Sequence, residues 1–88
     1  MRTYVIPDHV ISANLADESV LLHMDTKDYY QLNVTGQHIW KLIESGRSGD
    51  DIVADLVANF DVTDEDAASE YTRLTEELAS FDLLARAD

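Results

Sequence analysis

The side chains best suited to chemistry in this sequence are three histidines and a large set of carboxylates. His9, His23 and His38 show neither H-x-x-x-H nor another metal-ligand spacing, so no metal site is predicted. Adjacent acids such as Asp50-Asp51 are frequent among 18 acidic residues, and such pairs are more often solvated helix faces than acid–base dyads. We therefore interpret the histidines as solvent-exposed or hydrogen-bonded side chains.

The serines, glycines and cysteines give no catalytic signature either. No serine lies in a nucleophile elbow, and the three glycines, at positions 36, 46 and 49, do not form a phosphate-binding loop. The absence of cysteine excludes disulfides and thiolate zinc sites. We therefore expect no catalytic residues, no cofactor and no metal, and a function based on binding.

The net charge of −12, from six Lys and Arg against 18 Asp and Glu, narrows the choice of partner. Nucleic-acid binding depends on cationic groups that release counterions from phosphates, and an anionic lipid surface repels an acidic protein. The first ten residues lack the apolar run of a signal peptide, and no segment approaches the ~20 apolar residues of a membrane span. We expect one cytoplasmic domain, residues 1–88, whose partner is a protein or peptide.

The first third of the chain has the period of β-strands. Apolar residues alternate with polar ones over 10–15 and 19–24, and a third short strand is predicted around 28–32. The turn at Ala16-Asp17-Glu18 and the polar run 25–28 connect them, which predicts an antiparallel meander with one buried face. We expect the odd-numbered residues of the first strand and the even-numbered residues of the other two to face the core. Residues 1–9 are expected to be an extended lead-in.

After the third strand the period changes to that of α-helices. A capping side chain precedes each of three apolar stripes, and these caps are Asn33 or Thr35, Ser48 and Thr63. The apolar residues of the last helix are spaced by four, three, four and three, as on one helical face; they are Ala67, Tyr71, Leu74, Leu78 and Phe81. Three strands followed by three helices predict an α+β fold in which the helices cover one sheet face.

The third strand, residues 28–32, has no predicted neighbour on one side. The middle strand of a meander pairs on both sides, so the third strand keeps an open edge of unpaired N–H and C=O groups. A peptide can satisfy these groups by adding a strand, while nearby pockets select its side chains. Four new backbone bonds contribute roughly 2–6 kcal/mol, whereas a micromolar complex needs about 8 kcal/mol. We therefore expect apolar anchors beside the edge.

The ordered pattern that begins in this strand resembles the PqqD-like family, whose members recognise precursor peptides in the biosynthesis of ribosomally made, modified peptides. The similarity extends from about Val10 to Leu84, and the free-standing length is most similar to members encoded with lasso-peptide maturation machinery. Many relatives have glycine where this chain has Lys27 and Asp82. The pattern consists of Tyr29-Tyr30-x-Leu32-Asn33, Thr35-Gly36, Ile39-Trp40, Leu42-Ile43, Gly46, Ile52, Leu56 and Phe60.

The resemblance implies a winged-helix-like, non-catalytic module that binds the leader segment of a precursor peptide. In the family, the leader adds to the third strand and lies in the cleft beside the third helix. The implied partners are this leader and a maturation enzyme, which in lasso pathways is a leader peptidase. Glu70 is expected to pair with a basic leader residue. Carried onto this sequence, the peptide-binding residues are Asp28, Tyr29, Tyr30, Gln31, Leu32, Ala67, Glu70, Tyr71 and Leu74.

Two other functions remain open at this point. A winged-helix body also suggests a transcriptional regulator, although the third helix carries seven acids and only Arg73 between Asp64 and Asp82. Phosphates would repel such a helix. The third possibility is a structural subunit of a modifying enzyme that contacts no peptide itself.

Overall fold

A three-stranded antiparallel sheet followed by three helices forms the body of the molecule. The computed structural model describes residues 1–16 and 18–87, so Asp17 of the predicted turn lies outside the described residues, as does Asp88. The expected α+β arrangement of three strands and three helices is confirmed. The elements are β1 (Tyr4–Val5), β2 (Val10–Leu15), β3 (Glu18–His23), β4 (Tyr29–Leu32), α1 (Val34–Glu44), α2 (Gly49–Asn59), α3 (Asp64–Ser80) and β5 (Ala85–Arg86).

Each helix begins where a side chain caps its first turn. Asn33, Ser48 and Thr63 each accept a hydrogen bond from the backbone N–H three residues later, over 2.9, 3.2 and 3.1 Å. These bonds satisfy amides that have no partner within the helix. The predicted caps are therefore confirmed, with Asn33 rather than Thr35 at the start of α1. No helix in the described residues is long and apolar enough to cross a membrane.

The sheet is ordered β2-β3-β4, and its inner face packs on the helices. Val10 and Leu21 are buried, whereas Ile11 is 49% and Leu15 62% exposed. The prediction of which face is buried was therefore wrong for β2 and β3, where the buried residues are even-numbered in β2 and odd-numbered in β3. The prediction for β4 is confirmed, with Leu32 buried. Apolar residues occupy both faces of β2 and β3, so the alternation did not select the buried face.

A two-stranded ribbon joins the beginning of the chain to its end. β1 pairs antiparallel with β5, with Tyr4 opposite Arg86. The hydroxyl of Tyr71 on α3 donates to the carbonyl oxygen of Arg2 over 2.7 Å, which fixes this segment further. The same carbonyl passes so close to Gly49 that a Cβ at position 49 would overlap it. The sequence reading took residues 1–9 as an extended lead-in and did not predict the ribbon, because two-residue strands have no detectable period.

Candidate peptide-binding site

The edge of β4 that faces away from β3 is open. The amide of His23 donates to the carbonyl oxygen of Asp28 over 2.9 Å. Bonded positions alternate along an antiparallel ladder, so the even-numbered residues of β4 bond to β3. The N–H and C=O groups of Tyr29 and Gln31 therefore point outward. No other strand among the described residues pairs with this edge.

Two cavities lie along β4, and Tyr30 lines both. The larger one, of about 260 Å³, we name the Phe81 cavity; it is lined by Asp28, Tyr29, Tyr30, Phe81 and Leu83. The smaller one, of about 60 Å³, we name the Glu70 cavity; it is lined by Tyr30, Gln31, Leu32, Asn33, Gly36, Glu70, Arg73 and Leu74. The open edge thus has an apolar cavity near its first residues and a more polar one near its last residues.

A chain of polar contacts connects β4 to α3. The hydroxyl of Tyr30 donates to Oε2 of Glu77 over 2.6 Å. Burial raises the pKa of this phenol, and its hydrogen bond to the Glu77 carboxylate raises the pKa further. The Arg73 guanidinium lies 2.7 Å from Glu70 and 3.3 Å from Glu77. A basic leader residue at Glu70 would therefore have to compete with, or replace, Arg73.

The structure places Tyr30, Gln31 and Leu32 at the Glu70 cavity with Glu70 and Leu74, although Leu74 is largely buried. It places Asp28, which precedes β4, and Tyr29 at the Phe81 cavity instead. It does not bring Ala67 and Tyr71 to this cleft. Tyr71 is fully buried on the side of α3 that meets the N-terminal segment, and Ala67 lines a separate cavity with Phe60. The apolar stripe of α3 faces the core, so the polar stripe beside it, which includes Glu70, Arg73 and Glu77, borders β4.

Sequence reasoning missed Phe81 and Leu83 as site residues. Phe81 was assigned to the apolar stripe of the third helix, but it is the C-cap residue and its side chain is 55% exposed. Its ring lies 5.9 Å from that of Tyr30, measured between centroids. Leu83 is buried and also lines the Phe81 cavity. The helical period cannot orient residues beyond the end of a helix, which is why Phe81 was misplaced.

A cluster of three polar residues links the chain segments around the Phe81 cavity. Nε2 of His23 lies 3.1 Å from Oδ2 of Asp82, and Nε2 of His9 lies 2.9 Å from the Asp82 carbonyl oxygen. The hydrogen bond from His23 is the main reason that the pKa of Asp82 is lowered. Two histidines and a carboxylate this close together could hold a metal ion.

The hydrogen bonds of His23 argue against a metal at this cluster. Its Nδ1 accepts from the backbone amides of Asp25 and Thr26, each over 3.2 Å. Because Nδ1 accepts, Nε2 of the neutral ring carries the proton and donates it to Asp82. A metal bound at Nε2 would move that proton to Nδ1, and Nδ1 could then no longer accept from the two loop amides. The arrangement fits the hydrogen-bonded histidines expected from the sequence better than a metal centre.

The family model described as Coenzyme PQQ synthesis protein D (PqqD) matches residues 18–84, which include the sheet edge, both cavities and all of α3. The chain belongs to the PqqD family. The resemblance inferred from the sequence is thereby confirmed. No curated protein matches this chain.

Two solved structures have the fold of this PqqD-family chain. One is TbiB1 in complex with the TbiA(β) leader peptide, with 35% sequence identity, a TM-score of 0.88, and coverage of 91% of this chain and 93% of that one. The other is a lasso peptide synthetase B1 complexed with the leader peptide, with 23% identity and a TM-score of 0.86, covering 93% and 96%. At 23% identity, the second similarity shows the fold alone.

Two residues depart from the glycines expected in many PqqD-family relatives. Lys27, in the loop between β3 and β4, has a φ of 67°, and Asp82, after α3, has a φ of 60°. Glycine adopts this left-handed region without the steric cost that a Cβ causes. In this chain a lysine and an aspartate therefore adopt a conformation that glycine would adopt at lower steric cost.

Proposed function

We propose that this chain binds the leader segment of a ribosomally made precursor peptide and presents it to a maturation enzyme that removes the leader. The leader adds as a strand to β4 and places side chains in the two cavities beside it. The open edge of β4, next to the Phe81 cavity, is the observation that carries this proposal. The similarity to TbiB1, whose structure is a complex with a leader peptide, supports it.

The energetics require both the edge and the cavities. Tyr29 and Gln31 offer two N–H and two C=O groups, and four new bonds contribute roughly 2–6 kcal/mol. Ordering a flexible peptide costs about 2–5 kcal/mol, which offsets most of that contribution. An apolar leader side chain buried in the Phe81 cavity adds roughly 1.5–3 kcal/mol. Affinity and sequence selectivity therefore depend mainly on the side chains that enter the cavities.

The outer face of the sheet supports the second part of the proposal, presentation to an enzyme. Ile11, Leu22 and Tyr29 lie in register across the three strands on this face, and the Tyr29 side chain is 76% exposed. An exposed apolar patch of this kind is typical of an interaction surface. A leader strand added to β4 would extend the same face by one strand. A partner packed on it would therefore contact both this protein and its bound leader.

The occupant that we propose for this face is the maturation enzyme rather than a second copy of the chain. At a net charge of −12, two copies repel each other, whereas an apolar surface with a basic rim would be attracted. The expected leader peptidase thus needs an apolar patch surrounded by Lys or Arg. A dimer of this chain in solution, seen by sedimentation with the outer face protected, would contradict this assignment.

The test of leader binding is a titration of the labelled protein with two synthetic peptides, followed by amide NMR. One peptide is the leader encoded nearest to this chain's gene, and the other is the TbiA(β) leader. We expect shifts at residues 28–32, at 70–74 and at 81–83. Shifts confined to β2, or no binding of either leader, would overturn the proposal. Retention of duplex DNA at low salt would instead favour a transcriptional regulator.

A further inference from the structure

The side chain of His23 connects the two walls of the Phe81 cavity. We propose that His9, His23 and Asp82 are positioning residues that set the width of this cavity and thereby the leader affinity. The inference rests on the proposed function, because it assigns a role at the same binding site. None of the three residues lines the cavity, so they act through the residues that do.

The first wall is the loop between β3 and β4, and His23 holds it at several points. The backbone N–H of His23 donates to Asp28 over 2.9 Å, and its carbonyl oxygen accepts from Lys27 over 2.8 Å. Its ring Nδ1 accepts from the amides of Asp25 and Thr26. One residue therefore organises the loop that leads into Asp28, the first residue of this wall.

The second wall is the segment after α3, which Asp82 holds in place. Asp82 lies between Phe81 and Leu83, both of which line the cavity. Its carboxylate accepts from Nε2 of His23, and its carbonyl oxygen accepts from Nε2 of His9. The two imidazole rings lie against each other, with 4.3 Å between centroids. The cluster thus ties the segment after α3 to the β3–β4 loop on the opposite side of the cavity.

The residue type at position 82 points to the same role. A φ of 60° favours glycine, and many relatives are expected to have glycine there. Aspartate and asparagine tolerate this conformation better than other side chains, and they also supply an acceptor. In this chain the acceptor is used, since it receives the bond from His23. The Asp82 side chain therefore adds a connection between the two walls that glycine cannot provide.

The test compares two variants of position 82. Asp82→Asn keeps an acceptor for His23, whereas Asp82→Gly keeps the backbone conformation and removes the acceptor. We expect Asp82→Asn to bind the same synthetic leader within about twofold of the wild type. We expect Asp82→Gly to bind it about tenfold more weakly, the size of one hydrogen bond to a charged group. Equal leader affinity of all three proteins would overturn the proposal.

Two further measurements separate positioning from a general loss of structure and from failure of the proposed function. A leader with alanine in place of the side chain that fills the Phe81 cavity should lose its sensitivity to Asp82→Gly. In the peptide-free protein, the proton contacts between the Tyr30 and Phe81 rings should persist in Asp82→Asn and weaken in Asp82→Gly. Unchanged ring contacts in Asp82→Gly would overturn the positioning role, even if no leader bound the wild type.

Discussion

Replacing Gln31 by proline tests the role of the β4 edge with little effect on the fold. The N–H of Gln31 points away from β3, so proline removes a donor that has no backbone partner among the described residues. A leader strand would lose one bond, and the leader carbonyl facing the proline ring would be left unsatisfied. Together these effects cost roughly 1–3 kcal/mol of binding free energy, or about fivefold to 150-fold in affinity.

The matched control for this variant is Gln31→Val, which keeps the N–H and a strand-favouring side chain. It also removes the side-chain hydrogen bond from Gln31 to Glu18, as the proline variant does. Calorimetric titration with the leader gives the affinities, and urea unfolding gives the free energies of unfolding, which should differ by less than about 1 kcal/mol. The reasoning is refuted if the proline variant binds the leader as tightly as the valine variant.

Three other predictions concern stability and the partner surface. Lys27→Gly should raise the free energy of unfolding by about 0.5–1 kcal/mol, because glycine adopts the left-handed conformation of this position without the steric cost of a Cβ. Lys27→Ala, measured in urea alongside it, should give no such gain. The pKa of Asp82 is lowered in the folded state, chiefly by its hydrogen bond from His23. The contribution of Asp82 to the free energy of unfolding is therefore complete above the unfolded pKa of about 3.9. It is lost as the pH falls through the lower folded pKa. Urea unfolding between pH 2 and 5, in roughly half-unit steps, should therefore show a shallower acid loss of stability in Asp82→Gly than in the wild type; parallel curves would contradict the lowered pKa. Finally, the double variant Ile11→Ser and Leu15→Ser should leave leader affinity unchanged and weaken binding of the proposed partner, a leader peptidase, with Ala13→Ser, on the same face, as the control. A loss of leader affinity would show that the outer face does not act separately from the edge.

Much of the architecture could be predicted because local chemistry determines it. The change of period near Asn33 separates sheet from helices, and the caps at Ser48 and Thr63 need only side-chain acceptors at the correct spacing. The open edge follows from the order of a meander, in which the last strand has one neighbour. The resemblance to the PqqD family drew attention to positions 27 and 82, where glycine is expected in many relatives, and both residues have a left-handed backbone in this chain.

The features that could not be predicted depend on tertiary packing. Val20, Leu21 and Leu22 are consecutive apolar residues, so nothing local decides which face of β3 meets the helices. Tyr71 fits an apolar wall by type and spacing, yet the N-terminal segment that covers it is 69 residues away in sequence. The cluster around Asp82 likewise joins segments that are far apart in the chain. Such contacts leave no periodic signal in the sequence.

The most direct measurement is amide hydrogen exchange along β4 with and without bound leader. The amides of Tyr30 and Leu32 bond to β3 and should exchange slowly in both states, whereas those of Tyr29 and Gln31 should exchange rapidly until the leader binds. Slowed exchange at Tyr29 and Gln31 on binding is the result expected for strand addition. Tight leader binding with unchanged exchange at both positions would show that the peptide docks elsewhere.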